Sequence, residues 1–175
     1  RLYLNDGKTG FTRAPAGAVP DFREASGPVA VADFDRDGRM DIYIGSRVVP
    51  GSYPETPRSR LLRNASDAGT VVFDDVTDTA GGKELRNSGM VSSAVWSDVN
   101  ADGWQDLLLA HEWGEVSLFL NNKGKLALRE GSTERLRGGV VTGCGGRACD
   151  RRIDAGIVAT GRVGRPACCR LLCKQ

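Results

Sequence analysis

The stretch DFDRDGRMD, residues 33–41, places four carboxylates and one glycine within nine residues. A second stretch, DVNADGWQD at residues 98–106, repeats the pattern with Asn in place of one Asp. In both stretches, oxygen-bearing side chains occupy positions 1, 3, 5 and 9, and a glycine follows the third of them. Carboxylates this close together repel one another unless a cation lies among them. The spacing therefore predicts two metal-binding loops.

Calcium is the metal that suits these donors, because it accepts six to eight oxygen ligands at about 2.3–2.6 Å. Gly38 and Gly103 permit the sharp turn that folds the ligands inward. At position 7 we expect only a backbone carbonyl as ligand, from Arg39 in the first loop and Trp104 in the second. The alternative is an Asp- and Gly-rich surface turn that holds no metal.

An EF-hand opens with the same spacing, but the rest of the pattern excludes it. Its twelfth position requires a bidentate Glu, whereas Ile44 and Leu109 occupy that place here. The flanking segments VAVA and DIYIG are typical of β-strands, and an EF-hand requires helices. The two loops are therefore predicted to join strands.

A second repeated unit alternates with the acidic loops and consists of a strand, a polar turn and another strand. Its three copies are RLYLNDGKTGF (1–11), RLLRNASDAGTVVF (60–73) and VSLFLNNKGKLAL (116–128). Each period of about 60 residues thus holds about four short strands, which is typical of a β-propeller blade. We predict an all-β fold of such antiparallel blades in an incomplete ring, with a flat β-sandwich as the alternative.

The doubled acidic loop between apolar strands, with the LYLNDG-like units, resembles the FG-GAP or VCBS repeat family over residues 1 to about 134. This family is similar to the calcium-binding blades of the integrin α-subunit propeller. The resemblance implies two blades of four antiparallel strands, calcium in the loop that joins two strands of a blade, and usually a secreted or cell-surface setting. Carried over to this sequence, the side-chain ligands are Asp33, Asp35, Asp37, Asp41, Asp98, Asn100, Asp102 and Asp106. The Phe-Gly and Gly-Ala-Pro elements of the family are not cleanly present, so the comparison concerns loop chemistry.

Residues 135–175 are interpreted as a degraded third repeat followed by a basic tail. From residue 138 onward there are seven of the 24 basic residues, two of the 22 acidic residues and all five cysteines. The cysteine spacing, without an accompanying His, does not favour zinc. The tail lacks aromatic residues that could stack on bases, so nucleic-acid binding is not expected. Out-of-frame translation of a GC-rich gene is one hypothesis for the abrupt change in composition.

The chain begins directly on an apparent strand and contains no apolar run of the roughly 20 residues needed to cross a bilayer. We therefore expect a fragment of a larger protein with further blades and no membrane span here. We expect its location to be extracellular, at the cell surface or periplasmic.

Few residues favour catalysis. His111 is the only histidine, and a lone His at a strand end is more typical of a structural role. Trp96 and Trp113 are interpreted as packing between blades, with sugar stacking as the alternative. The Pro-rich segment 47–60 is predicted to be a long surface loop of the kind that often carries binding residues.

We therefore expect a non-catalytic calcium-binding module that recognises a protein or glycan. The alternative is the propeller portion of a larger secreted carbohydrate-active enzyme. Counting carboxylates, we expect the first loop to bind calcium more tightly than the second, because residues 33–41 contain one more Asp.

Overall fold

The computed structural model describes residues 1–129 and confirms the predicted all-β architecture. The elements are β1 (Tyr3–Asn5), β2 (Phe11–Arg13), β3 (Ala25–Ala32), β4 (Asp41–Val48), β5 (Arg60–Asn64), β6 (Phe73–Asp75), α1 (Thr77–Ala80), α2 (Gly82–Arg86), β7 (Val91–Ser97), β8 (Asp106–His111), β9 (Ser117–Asn121) and β10 (Leu126–Leu128). The strands form three antiparallel sheets of two to four strands. Within residues 1–129 these sheets do not close into a barrel, as expected for part of a propeller. The predicted third repeat and the cysteines lie outside the described residues.

The first four-stranded sheet is a meander in which β3, β4, β5 and β6 pair in chain order. Along β3, Ala30 and Ala32 are buried, whereas Val29 and Val31 are exposed. This alternation is expected of a strand that has one covered face. The next strand, β4, contributes the fully buried Tyr43.

The second four-stranded sheet repeats this order with β7, β8, β9 and β10. Its inward side chains include Leu107, Leu109 and Phe119, all of which are buried. The predicted strand-turn-strand units form the outer pairs of these sheets, β5 with β6 and β9 with β10. The first such unit forms the separate hairpin of β1 and β2.

The two four-stranded sheets share one hydrophobic core, whose members come from both sheets and from the segment between them. These members are Phe34, Tyr43, Leu61, Ala80, Leu85, Val91, Leu107, Leu109, Phe119 and Leu126. Strand β4 of the first sheet approaches β7 of the second closely, since a Cβ added at Gly45 would lie 2.8 Å from the Cβ of Val91. A glycine in β4 is therefore explained by packing between the sheets.

The helices α1 and α2 were not predicted from the sequence. They contain four and five residues, which is too short for a periodic apolar stripe to be recognisable. The fully buried Leu85 anchors α2 in the shared core. Thr77 anchors α1, because its hydroxyl accepts a hydrogen bond from the amide of Leu61 at 2.8 Å. Among the described residues, no helix is long and apolar enough to span a membrane.

Candidate metal centre

The two acidic loops occupy the same place in their sheets. The first joins β3 to β4 and the second joins β7 to β8. Each is closed at its base by a cross-strand pair, Ala32 with Asp41 and Ser97 with Asp106. The predicted position of both loops between two strands of a blade is therefore confirmed.

The backbones of the two loops follow the same course. At position 4, Arg36 and Ala101 have positive φ angles of 59° and 60°. At position 6, Gly38 and Gly103 have φ angles of 85° and 87°. Residues other than glycine rarely adopt this left-handed region, so its occurrence at matching positions marks a specific turn geometry.

Position 1 closes each turn through two hydrogen bonds. The carboxylate of Asp33 accepts from the amides of Asp37 and Gly38, both at 3.0 Å. The carboxylate of Asp98 accepts from Asp102 at 3.1 Å and from Gly103 at 2.8 Å. An aspartate at position 1 therefore folds each loop back on itself.

Positions 3 and 5 add further turns in the same way. One side-chain oxygen of Asp35 accepts from the amide of Asp37 at 3.3 Å, and Asn100 accepts from Asp102 at 3.0 Å. At position 5, Asp37 accepts from the amide of Arg39 at 2.9 Å. The equivalent bond in the second loop, from Trp104 to Asp102, is 2.8 Å long.

Position 9 lies deepest, since Asp41 and Asp106 are both fully buried. Asp41 accepts from the amides of Phe34 at 3.2 Å and Asn64 at 2.8 Å. Burial raises the pKa of Asp41 to about 6, an effect that these amides partly oppose. Burial likewise raises the pKa of Asp106, whose partners are the amides of Val99 at 3.0 Å and Asn121 at 2.7 Å.

Two asparagines that served only as repeat markers in the sequence support both loops. The side-chain amide of Asn64 donates to the carbonyl of Met40 at 3.1 Å. That of Asn121 donates to the equivalent carbonyl of Gln105 at 2.9 Å and also to Phe34 at 2.8 Å. Their recurrence in the strand-turn-strand units was the signal that could have identified this role.

Three predicted ligands of the first loop come together. Oxygens of Asp33, Asp35 and Asp37 lie within 4.8 Å of one another, close enough to share one cation. Hard carboxylate oxygens in this number fit calcium or magnesium rather than a soft metal. The ligand roles of these three residues, of Asp41, of the whole second set and of the Arg39 and Trp104 carbonyls remain predictions.

Two arginines already contact the first cluster. Arg63, on β5, donates to Asp35 at 2.6 Å and to Asp37 at 2.9 Å. Arg39 donates to the same oxygen of Asp37 at 2.5 Å. The hydrogen bond and charge of Asp35 raise the pKa of Arg63, so this guanidinium stays protonated. Arg63 could not be identified from the loop motif, because it lies 28 residues from Asp35 along the chain.

Contacts also join the first loop to the second sheet. Arg36 donates to the carbonyl of Gly103 and lies over the ring of Trp104, 4.6 Å from its centre. Phe34, which is 2% exposed, stacks on Trp96 with ring centres 6.3 Å apart. The predicted packing role of Trp96 between blades is thus confirmed, and the first loop forms part of that interface.

The remaining candidates lie away from the acidic loops. Trp113 is 61% exposed and contacts Tyr53 edge to face at 5.4 Å, so its predicted packing is confined to a surface pair. The surface loop predicted over 47–60 is confirmed for residues 50–56, which are all exposed. Its two ends belong to β4 and β5, and Pro57 and Ser59 are buried. His111 contacts the hydroxyl of Ser117 at 3.0 Å, and burial lowers its pKa.

Comparison with known families supports the interpretation of the first repeat. Residues 1–44 match the FG-GAP-like repeat family. The match ends three residues after Asp41, so it contains the whole first acidic loop and confirms the resemblance over this segment. No curated protein matches the chain. The second loop, outside the matched segment, shares the hydrogen bonds and backbone angles of this FG-GAP-like repeat.

Proposed function

We propose that the chain is a non-catalytic, calcium-binding β-propeller module of an extracellular, cell-surface or periplasmic recognition or adhesion protein. The observation that carries the proposal is the convergence of Asp33, Asp35 and Asp37 in a loop whose backbone recurs in the second sheet. The FG-GAP-like match over residues 1–44 is consistent with this function.

The donors favour calcium over magnesium. Calcium tolerates irregular coordination by many carboxylate and carbonyl oxygens, whereas magnesium requires near-ideal octahedral geometry and retains water. When bound, the ion would supply positive charge that offsets the clustered carboxylates. Each loop would then be cross-linked at its base, where Asp41 or Asp106 meets the next strand.

The expected affinity agrees with an extracellular setting. Extracellular calcium modules commonly bind at about 10⁻⁴ to 10⁻³ M. At 10 mM calcium such a site adds about 1.4–2.7 kcal/mol to the free energy of unfolding, from RT ln(1 + [Ca²⁺]/Kd). The module would thus be strengthened outside the cell, where calcium is abundant.

Recognition itself is proposed to require the larger propeller. Residues 1–129 form two four-stranded sheets, whereas a propeller typically has four to eight such blades. The outer strands β3, β6, β7 and β10 lie at the edges of their sheets, and such edges can pair with strands of other molecules. We propose further blades in the full-length protein, with a protein or glycan as the ligand. A tendency of the isolated chain to self-associate would agree with these free edges.

The test is thermal unfolding of the 175-residue chain across a calcium titration. Asp33→Asn and Asp98→Asn each remove one charge but retain an acceptor oxygen, so each is expected to reduce the calcium-induced rise in Tm. The double variant is expected to lose most of it. Glu55→Gln, which also removes one charge but lies in the exposed segment 50–56 between β4 and β5, is the matched control and is expected to respond like the parent chain.

Magnesium at the same concentration is expected to raise Tm much less than calcium. A melting temperature that ignores calcium in the parent chain would contradict the proposed function. If the double Asn variant shows the same calcium-induced rise in Tm as the parent chain, calcium binds elsewhere.

A further inference from the structure

The first loop leaves particular oxygens for a cation. Asp35 and Asp37 each use Oδ1 to accept a backbone amide within the loop. Their Oδ2 atoms accept no backbone amide within the loop and are therefore the oxygens most open to other partners. In the structure, Arg63 takes both, through Nε to Asp35 at 2.6 Å and through its terminal amino group to Asp37 at 2.9 Å.

The contact of Arg63 is well suited to hold these carboxylates. A guanidinium is planar and permanently charged, and it can bond two carboxylates at once. The side chain of Arg63 is 40% exposed, whereas those of Asp35 and Asp37 are 19% and 17% exposed. Charge-assisted bonds to partly buried carboxylates are stronger than neutral ones.

The second loop differs at this place. Asn64 and Asn121 are equivalent, so the residue that corresponds to Arg63 is Leu120 on β9. The Oδ2 of Asp102 accepts instead from the neutral amide of Asn100 at 2.8 Å. A metal ion displaces a neutral donor more readily than a bidentate cation, because no like charge opposes its approach.

Arg36 also brings positive charge near the second loop, but it acts differently. It donates to the backbone carbonyl of Gly103 and lies over the Trp104 ring. Its bond is to a backbone oxygen and not to a carboxylate. It therefore does not compete for the predicted side-chain ligands in the way that Arg63 does.

We propose that Arg63 is a built-in competitor for the metal of the first loop and makes the second loop the tighter site. This inference rests on the proposed calcium function. It reverses the order expected from counting carboxylates, because the first loop has one more Asp but two arginines already bonded to them. Arg63 would have to withdraw toward solvent before calcium reaches Asp35 and Asp37, whereas the second loop needs only to release an amide.

The experiment is isothermal titration calorimetry with calcium chloride on the 175-residue chain, with each loop measured separately. The first loop is measured in an Asp98→Asn background, with and without Arg63→Gln. Removing the competing charge is expected to tighten calcium binding by about 5–10-fold. Arg63→Lys keeps the positive charge but cannot bond two carboxylates through a planar group. It is therefore expected to tighten calcium binding less than Arg63→Gln does.

The converse variant transfers the competitor to the second loop. In an Asp33→Asn background, Leu120→Arg is expected to weaken calcium binding by a similar factor. Leu120→Gln is the matched control for the loss of the leucine side chain and is expected to bind nearly as the background does. Melting curves in EDTA are recorded for each variant. Arg63→Gln is expected to lower the metal-free Tm, since only Arg39 would then offset the repulsion among the three carboxylates.

The outcomes separate this inference from the proposed function. Calcium binding that is unchanged or weakened by Arg63→Gln would overturn the role of Arg63 and leave the calcium function intact. Absence of calcium binding in the backgrounds and in every variant would overturn both. Tighter binding in Arg63→Gln together with weaker binding in Leu120→Arg would support both.

Discussion

The two acidic loops have nearly the same backbone and yet different surroundings. Residues 33–41 and 98–106 share left-handed residues at positions 4 and 6 and the same set of side-chain to amide bonds. Among residues 1–129, arginines contact the carboxylates of the first loop only, and only that loop buries an aromatic ring against the neighbouring sheet. Local spacing therefore determines the shape of a loop, whereas residues from other strands determine its charge and its part in the core.

The largest expected difference between the loops concerns position 2, where the first has Phe34 and the second has the half-buried Val99. Phe34→Ala would leave a cavity beside Trp96, and we expect a loss of about 3–5 kcal/mol in the free energy of unfolding. Val99→Ala removes less buried surface and should cost about 1 kcal/mol or less. Urea denaturation of both variants in EDTA measures this, and equal losses would contradict an interface role confined to the first loop.

Position 9 is where the two loops should behave alike. Alanine at Asp41 or Asp106 leaves one buried and one half-buried amide without an acceptor, and a buried amide without an acceptor costs about 1–3 kcal/mol. Because each substitution also removes a buried charge, we expect a net loss of about 2–4 kcal/mol in both cases. Chemical denaturation without calcium is the measurement. A loss in only one of the two variants would break the equivalence of the loops.

Much of both loops was predictable because their bonds are local. The Asp spacing and the following glycine determine bonds that span two to five residues, so Asp33 and Gly38 could be placed from the pattern alone. The four-stranded sheets followed from apolar alternation and turn residues. Arg63, the stacking of Phe34 on Trp96, and α1 and α2 could not be predicted, because each depends on how distant strands pack.

Position 6 allows a smaller comparison of Gly38→Ala with Gly103→Ala. Both substitutions place a Cβ on a residue with a positive φ angle and should lower the free energy of unfolding by about 1–2 kcal/mol. At Gly103 the new Cβ would also lie 2.6 Å from the guanidinium of Arg36, whereas at Gly38 nothing lies within 4 Å. We expect Gly103→Ala to lower the free energy of unfolding slightly more than Gly38→Ala does. This excess should vanish when Gly103→Ala is combined with Arg36→Ala. A double-mutant cycle by urea denaturation tests this coupling, and an excess that persists without Arg36 would contradict it.

The smallest effect concerns the far end of the central strands, where Ser46 in β4 corresponds to His111 in β8. Burial lowers the pKa of His111 below its usual 6.5, so the unfolded chain takes up a proton before the folded one does. Stability should therefore fall as pH drops below about 6.5, by less than about 1.4 kcal/mol per pH unit. His111→Gln should remove that part of the slope. A pH series of denaturation curves compares the two chains, and identical slopes would show that this imidazole titrates as it does in the unfolded chain.

NMR spectra of the chain, recorded during a calcium titration, show the amide resonances of Gly38 and Gly103. These amides donate to Asp33 and Asp98, so each reports on its own loop. Both resonances are expected to shift, and that of Gly103 should reach its end point at a lower calcium concentration than that of Gly38. Resonances that stay in place at 10 mM calcium would contradict the metal sites, and saturation of Gly38 first would contradict the competing role of Arg63.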